Sequence, residues 1–204
     1  MHGVGAPHLR GQFRVQSLNV IIRRLGTADA VALAQLRSAS IEAEPLAFGA
    51  SPSDDVHGTV DALRTSLADR DELAVYGAFD EAGSLVGMVG LGRSPQAKRR
   101  HKAILWGMYV APQSRRRGTA RKLLEHAISQ AAQWPGVRQV SLSVTTAAPG
   151  ALRLYESAGF RQWGREPRGL QWEGRFEDEA HLVLDLPQEA ARQYGADADK
   201  TRPG

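Results

Sequence analysis

The chain has 204 residues, of which 42% are hydrophobic and 24% are charged. This composition is typical of a globular domain and excludes a disordered chain. The formal charge of +4 permits an anionic ligand but is too small for a protein that coats nucleic acid. Cysteine is absent, which excludes disulfides, thiolate metal sites and a cysteine nucleophile.

The two ends of the chain differ in composition from its middle. Residues 1–18 are rich in Gly, Arg and Gln, and residues 188–204 end in Ala, Asp, Lys and Pro, so we expect flexible tails around a domain at 19–187. The N-terminus lacks the pattern of a secretory signal, and no run of about 20 apolar residues predicts a membrane span. We therefore expect a cytoplasmic protein without a membrane partner. The histidines are scattered singly, so no metal site is predicted.

The first part of the domain predicts a short strand and a pair of helices. Residues 20–22 form an apolar strand, and Thr27 is placed to cap the helix that follows. Ser53 with Asp54 and Asp55 predicts the start of a second helix, because a side-chain oxygen and negative charge satisfy the exposed amides of a first turn.

The middle of the chain predicts a β-hairpin, a third strand and a long helix. Residues 73–79 and 85–91 are strand-like, and the sequence between them, 80–84, is typical of a turn. Residues 104–110 form the third strand. An amphipathic helix follows it and ends at Pro135-Gly136.

The last part predicts three strands around a short helix. Apolar and polar residues alternate over 140–145, as in a strand. Pro149 starts a helix that Gly159 ends, and the last strands cover 160–165 and 181–186. The element order predicts an α/β (α+β) fold with a mixed sheet of about six to seven strands, about four helices on both faces and a parallel crossover around the third helix.

The turn between the strand at 104–110 and the third helix carries the clearest functional signal. Residues 93–122 hold ten Lys and Arg and no acid, so the rest of the chain is net acidic. A strand that runs into a helix start with small residues aims free amides and the positive end of the helix dipole at one point. Gly118 and Ala120 leave room there for a phosphate. The Walker and dinucleotide-binding patterns are not met, and an acyl-carrier nucleotide remains a good candidate ligand.

Two segments resemble motifs of the GNAT superfamily of N-acetyltransferases. Residues 115–120, Arg-Arg-Arg-Gly-Thr-Ala, match its Gln/Arg-x-x-Gly-x-Gly/Ala signature, and residues 151–160 are similar to its Ala-x-x-Leu-Tyr-x-x-x-Gly-Phe segment. Residues 44–51 are similar to the loop between the first two helices in many members. The motifs follow one another in the family's order, and the resemblance spans residues 19–187.

The resemblance implies a mostly antiparallel GNAT-like sheet and acetyl-CoA as the cosubstrate, without a metal. It implies that the acetyl group moves to a primary amine of a small molecule or protein by direct attack on the thioester. The strand-end amides of Met108, Tyr109 and Val110 would pair with the pantetheine arm, and Tyr155 would hydrogen-bond the departing CoA sulfur and can protonate it. The residues implied at the pyrophosphate are Arg115, Arg116, Arg117, Gly118, Thr119, Ala120 and Arg121.

The chain departs from the family pattern at three places. Arg116 stands where many members have Gly, Ala148 stands where Asn is frequent, and residues 101–112 contain no acid where many relatives have a Glu. An amine with a pKa near 10.4 is mostly protonated at neutral pH, so a base should face the acceptor. The candidates elsewhere in the chain are Glu42, Glu44, His101, Glu173, Glu177 and Asp178. We place Glu44 first because its loop resembles the family's acceptor-side loop.

Two other functions stay open. The missing strand acid and Ala148 are compatible with a catalytically silent GNAT-like module that binds CoA as a sensor or scaffold. Nucleic-acid binding through residues 98–102 and the arginine turn is disfavoured, because no aromatic-rich nucleic-acid motif is present. Residues 164–174, a Gly- and Arg-rich stretch that follows Trp163 and contains Trp172, are expected to form a loop that could line an acceptor pocket. The acceptor, the acyl length and the oligomeric state, a homodimer included, are left open.

Overall fold

The computed structural model describes residues 19–68 and 72–187, and both predicted tails lie outside the described residues. The strands are β1 (Ile21–Arg24), β2 (Leu73–Phe79), β3 (Leu85–Arg93), β4 (Lys102–Val110), β5 (Gln139–Thr145), β6 (Arg161–Trp172) and β7 (Arg175–Asp185). The helices are α1 (Ala30–Ala43), α2 (Val60–Leu67), α3 (Thr119–Gln133) and α4 (Pro149–Ser157). Among the described residues, no helix is long and apolar enough to cross a membrane.

One sheet holds the strands in the order β1-β2-β3-β4-β5-β7-β6. Neighbouring strands are antiparallel except β4 and β5, which run parallel and are connected through α3. The predicted mixed, mostly antiparallel sheet with a parallel crossover around the third helix is therefore confirmed.

The helices cover both faces of the sheet. On one face, Leu33 of α1 and Leu63 of α2 pack with Met88 of β3 in one apolar cluster. On the other face, Leu123 of α3 belongs to a larger cluster with Val89 of β3. Because each fully buried side chain of this size contributes roughly 1.5–3 kcal/mol relative to its exposed state, the two clusters hold the sheet between its helical layers.

The parallel strands β4 and β5 pair only where they begin. Their register joins Lys102–Ile104 to Gln139–Ser141 and continues no further. Beyond this point the two strands separate, and the edge of β4 that faces β5 has no strand partner. The separation leaves a gap in the middle of the sheet, between the ends of β4 and β5.

A β-bulge in β4 lies next to this gap. The register with β3 shifts between Trp106 and Tyr109, and Gly107 between them has a φ of +59°. The extra residue places Trp106 and Tyr109 on the α1–α2 face and Met108 on the α3 face. Gly107 therefore lies beside the gap, between Trp106 on one face of the sheet and Met108 on the other.

The start of α1 differs from the prediction. Thr27 lies inside a 3-10 turn, residues 27–29, and does not cap the helix. The polar contact at this turn comes from Asp29, whose carboxylate accepts a hydrogen bond from the Gly26 amide at 2.9 Å. Thr and Asp are both common caps, and only the extended backbone at Gly26 decides which residue takes the role.

The predicted start of α2 at residues 53–55 is wrong. The helix begins at Val60, where the Thr59 hydroxyl accepts a hydrogen bond from the backbone. The carboxylate of Asp55 is committed instead to an ion pair with Arg37 of α1. The same carboxylate also accepts a hydrogen bond from the His57 amide at 3.1 Å, in a loop that precedes the helix.

Residues 164–174 form strands of a long β-hairpin, so the predicted loop lining an acceptor pocket is wrong. The hairpin turns at Glu173 and Gly174, which both have positive φ (48° and 77°), as a two-residue hairpin turn requires. β6 is the edge strand, and most of its side chains, including Trp163, are exposed. Such a strand lacks the alternation of apolar and polar residues from which a strand is predicted.

Candidate active site

A groove follows the gap between β4 and β5. It holds about 950 Å³ of empty space that opens to solvent, and we call it the central groove. Its lining residues are Glu44, Ala47, Phe48, Met108, Tyr109, Val110, Arg115, Ala120, Ala148, Gly150, Ala151, Leu154 and Tyr155. Both segments that resemble GNAT motifs thus contribute side chains to the same groove.

The turn before α3 has the backbone geometry of an anion-binding nest. Arg116 and Gly118 have positive φ angles of 58° and 82°. A Cβ atom on Gly118 would meet no atom within 4 Å, so the space before the helix is open. The Lys122 amide donates to the Gly118 carbonyl at 3.0 Å, and the preceding amides of residues 119–121 have no partner inside the helix. These amides and the dipole of a 15-residue helix favour an anion at this end of the groove.

Two side chains hold this turn against β4. Thr119 is 1% exposed, and its hydroxyl donates to the Ser114 carbonyl at 3.2 Å. The Arg115 Nε donates to the Val110 carbonyl at 2.8 Å, and its guanidinium lies 5.4 Å from the centre of the Tyr109 ring. Arg115 therefore forms part of the groove wall at the end of β4.

Glu44 lies in the same wall. Its Oε1 is 3.1 Å from the Arg115 Nη1, and both side chains are close to half exposed. The carboxylate thus faces the helix-start end of the groove and is paired with a guanidinium.

The remaining arginines of the turn differ in their partners. Arg121 donates to the Ser157 hydroxyl at 2.7 Å and so joins α3 to α4. Arg116 and Arg117 are exposed and form no ion pair with another described residue. Their charges are available to an anion bound at the nest.

Tyr155 of α4 lies at the other end of the groove. Its side chain is 6% exposed and packs edge-to-face on Phe160, with ring centres 5.8 Å apart. Its hydroxyl contacts the Met108 sulfur at 3.6 Å, and sulfur is a weak acceptor. Burial raises the pKa of Tyr155 to about 12, because a buried phenolate loses its solvation. The phenol therefore keeps its proton at neutral pH and can donate it to an atom in the groove.

A second pocket lies on the opposite face of the sheet, and we call it the α1–α2 pocket. It holds about 480 Å³ of empty space and is lined by Leu33, Arg37, His57, Leu63, Ser66, Leu67, Leu73, Val75, Met88, Gly90, Trp106 and Gly107. Trp106 and Gly107 also line a cavity beside Tyr155, together with Met108. The bulge of β4 is therefore shared between the two sides.

Three ionisable side chains meet at the α1–α2 pocket. Arg37 donates to both carboxylate oxygens of Asp55, at 2.6 and 2.7 Å, and the two side chains are only 11% and 4% exposed. His57 stacks on Trp106 with ring centres 6.2 Å apart, and its Nδ1 lies 3.2 Å from the Ser66 hydroxyl. Sequence reasoning missed this group, because these residues meet only through packing and no local motif marks them.

The other candidate bases lie elsewhere. Five of them line neither the central groove nor the α1–α2 pocket. They are Glu42, His101, Glu173, Glu177 and Asp178. Of the acids considered from sequence, Glu44 alone is at the groove.

The basic segment 93–122 divides into two clusters at opposite ends of β4. A strand of nine residues separates them by about 30 Å. In the first cluster, Arg93 and Arg100 pair with Glu72 and serve the packing of the loops around them. Only the second cluster, residues 115–122, borders the central groove, so the two halves of the segment cannot hold one small anion together.

The sequence matches the family model of the acetyltransferase (GNAT) family over residues 34–160. The chain belongs to this family. The match runs from within α1 to the end of α4 and so includes the nest, the β4 bulge and Tyr155 of this GNAT protein. No curated protein matches the sequence.

Solved GNAT structures share the fold. A GNAT-family acetyltransferase from Streptococcus pneumoniae is 25% identical with a TM-score of 0.72, covering 82% of this chain and 99% of its own. A phosphinothricin acetyltransferase from Sinorhizobium meliloti, solved with acetyl-CoA, is 20% identical with a TM-score of 0.72, covering 83% and 89%. A protein from Salmonella typhimurium with its cofactor acetyl-CoA is 21% identical with a TM-score of 0.71, covering 83% and 95%.

Proposed function

We propose that this GNAT protein is an acetyl-CoA-dependent N-acetyltransferase that acts on a primary amine of a small molecule or a protein. The observation that carries the proposal is one groove with a nest of free amides at one end and the Tyr155 hydroxyl at the other. A ligand with phosphates at one end and a thioester at the other matches this arrangement. Two proteins of the same fold were solved with acetyl-CoA.

The residues present fit acetyl-CoA. The amides of residues 119–121 and the free charges of Arg116 and Arg117 suit the pyrophosphate. The edge of β4 at Met108–Val110 faces the gap, where its backbone can pair with the amides of the pantetheine arm. The groove then leads to Tyr155, so a thioester bound at that end would lie beside the bulge of β4.

Tyr155 supplies the proton that the sulfur needs. When the carbon–sulfur bond breaks, the electron pair goes to sulfur, and a hydrogen-bond or proton donor beside the sulfur stabilises the negative charge that develops there. The Tyr155 hydroxyl is protonated at neutral pH, and among the described residues its partner is the weakly accepting Met108 sulfur. We therefore assign it the role of general acid.

Glu44 is the second residue that we propose for function. A base role needs a carboxylate that reaches the amine, whereas its ion pair favours holding Arg115 against the groove. Glu44→Gln separates the two roles. A holding role predicts a raised KM for acetyl-CoA with little change in kcat, and a base role predicts a lower kcat with a changed pH profile.

A catalytically silent CoA-binding module is the second candidate function. The absence of an acid from β4 and the pairing of Glu44 with Arg115 favour it. Such a module would bind acetyl-CoA in the same groove and release no thiol.

The test is thiol release from acetyl-CoA across a panel of primary amines, run beside thermal unfolding with and without acetyl-CoA. The enzyme predicts thiol release that depends on one class of amine, together with thermal stabilisation. Stabilisation without thiol release above background supports the silent module. If acetyl-CoA causes neither thiol release nor thermal stabilisation, both proposed functions are refuted.

A further inference from the structure

The proposed reaction needs a proton acceptor that the central groove does not supply. An amine nucleophile must give up a proton as it forms the new bond, and an ammonium with a pKa near 10.4 must lose one before it can attack. β4 carries no acid at residues 102–110. In the groove, Glu44 is paired with Arg115 and Tyr155 is the proposed acid. We therefore consider the α1–α2 face of the sheet for a proton acceptor that carries no ion pair.

The α1–α2 pocket opens on that side. It shares Trp106 and Gly107 with the cavity beside Tyr155, so an amine in this pocket would reach the bulge of β4 from the face opposite the phosphate nest. Most of its lining side chains are apolar. Of those that ionise, Arg37 carries a fixed positive charge and cannot take up a proton. His57 is the other one.

His57 is held in place from several sides. Its ring stacks on Trp106 of β4, and its Nδ1 lies 3.2 Å from the Ser66 hydroxyl of α2. The charged groups that face it are Asp55, whose carboxylate accepts a hydrogen bond from the His57 amide at 3.1 Å, and Arg37 of α1. The contact fits the tautomer in which Nδ1–H donates to the Ser66 hydroxyl, and in that tautomer Nε2 carries the lone pair that accepts a proton.

The surroundings keep this imidazole neutral. Burial lowers the pKa of His57, and the charge of Arg37 lowers it further, while Asp55 opposes them. The net effect is a pKa below the ordinary 6.5, so His57 is mostly deprotonated at neutral pH. A neutral histidine in contact with a substrate amine can act as a base.

We propose that His57 is the general base that takes the proton from the acceptor amine, and that the α1–α2 pocket holds this amine on an apolar stem. The inference rests on the proposed acetyl transfer. It adds a catalytic residue on the opposite face of the sheet from Tyr155.

The step balances as follows. The nitrogen lone pair forms a bond to the thioester carbon, and one N–H proton passes to Nε2 of His57. The carbon–sulfur bond breaks with its electron pair on sulfur, which takes the proton of Tyr155. His57 then loses its proton to solvent and Tyr155 regains one, so the products are the amide and the free thiol of CoA.

The experiment compares kcat/KM for the acceptor as a function of pH in the wild type, His57→Gln and His126→Gln. His126 is a matched control, because it is also partly buried, has a pKa lowered by burial and packs on an aromatic ring, that of Tyr76, 4.8 Å away. The ionisation of the amine is common to all three proteins and cancels in their ratios.

The expected ratio of wild type to His57→Gln is at least about 10²-fold above pH 6.5 and falls toward one as the pH drops below the pKa of His57. His126→Gln should follow the wild type throughout. A ratio near one at every pH, or one that does not change with pH, would overturn the role of His57.

Folding of the variant is checked by thermal stabilisation with acetyl-CoA, which should equal that of the wild type. If His57→Gln does not fold, an NMR titration of His57 in the wild type decides, since its pKa must equal the acidic pKa of kcat/KM. Different values would refute the proposal. A wild type that acetylates no amine at any pH contradicts the proposed function itself, whereas turnover unaffected by the substitution contradicts only the base.

Discussion

Tyr155→Phe is expected to lower kcat by about 10²-fold while the fold and cofactor binding are kept. Removing a general acid costs 10²–10⁴-fold, and a factor of about 10² corresponds to roughly 2.7 kcal/mol of transition-state stabilisation. The substitution removes only an oxygen whose partner is the Met108 sulfur, and the ring keeps its contact with Phe160. We therefore expect the free energy of unfolding to change by no more than about 1 kcal/mol.

The assay is steady-state thiol release with acetyl-CoA varied at a saturating acceptor concentration. KM for acetyl-CoA should stay within about twofold, because the phosphates bind at the other end of the groove. Tyr76→Phe is the matched control, since Tyr76 is also a buried tyrosine with a pKa raised by burial and its hydroxyl contacts Gln130 on α3. Equal kcat for Tyr155→Phe and the wild type would refute the acid role, and an equal loss in Tyr76→Phe would show that packing is responsible.

Substitutions at four other positions have expected outcomes. Arg116→Gly should raise the free energy of unfolding by about 1 kcal/mol and Tm by about 2–4 °C, because Arg116 is held at a φ of 58° that L residues avoid; an unchanged Tm in a thermal unfolding scan would contradict strain there. Gly118→Val should abolish thermal stabilisation by acetyl-CoA, since Gly118 has a φ of 82° and a side chain would fill the space before the helix amides; retained stabilisation would place the phosphates elsewhere. Arg37→Met should lower the free energy of unfolding, measured in urea, by about 3–5 kcal/mol, because it leaves the carboxylate of Asp55 buried and unpaired. A loss below about 1 kcal/mol would contradict a buried charge at Asp55. Burial raises the pKa of Asp55, but its hydrogen bonds and the charge of Arg37 outweigh this and lower the pKa overall. The stabilisation from the Asp55 carboxylate is therefore complete above about pH 4 and is lost as the pH falls through the lowered pKa. Asp55→Asn should flatten the fall of the unfolding free energy at acid pH, and an unaltered fall would mean that other acids cause it.

The backbone geometry of the nest could be predicted because its signals are local. The nest is one turn of backbone, so a run of Arg, Gly and small residues specifies it before any packing is known. Tyr155 follows in a second short motif. The central β-hairpin and β5 were also predicted, since their apolar patterns and turn residues lie next to one another in the chain.

The α1–α2 pocket could not be predicted, because it is made by contacts between distant residues. Asp55 was interpreted as a helix start, and only the packing of α1 shows that its partner is Arg37, 18 residues earlier. His57 stacks on Trp106, which lies in β4 and is distant from His57 in the sequence. The strands predicted at 160–165 and 181–186 fall on β6 and β7, but the rest of the hairpin was interpreted as a loop, since an exposed edge strand carries no apolar alternation.

Mass spectrometry of the acceptor after incubation with acetyl-CoA tests the central claim most directly. The account predicts an acetyl group on the amine nitrogen, formed in equal amount to the free CoA thiol and strongly reduced in Tyr155→Phe. Free thiol without an acetylated amine would show thioester hydrolysis, and acetyl-CoA binding without either product would show a silent module. Either result would contradict acetyl transfer to an amine in this groove.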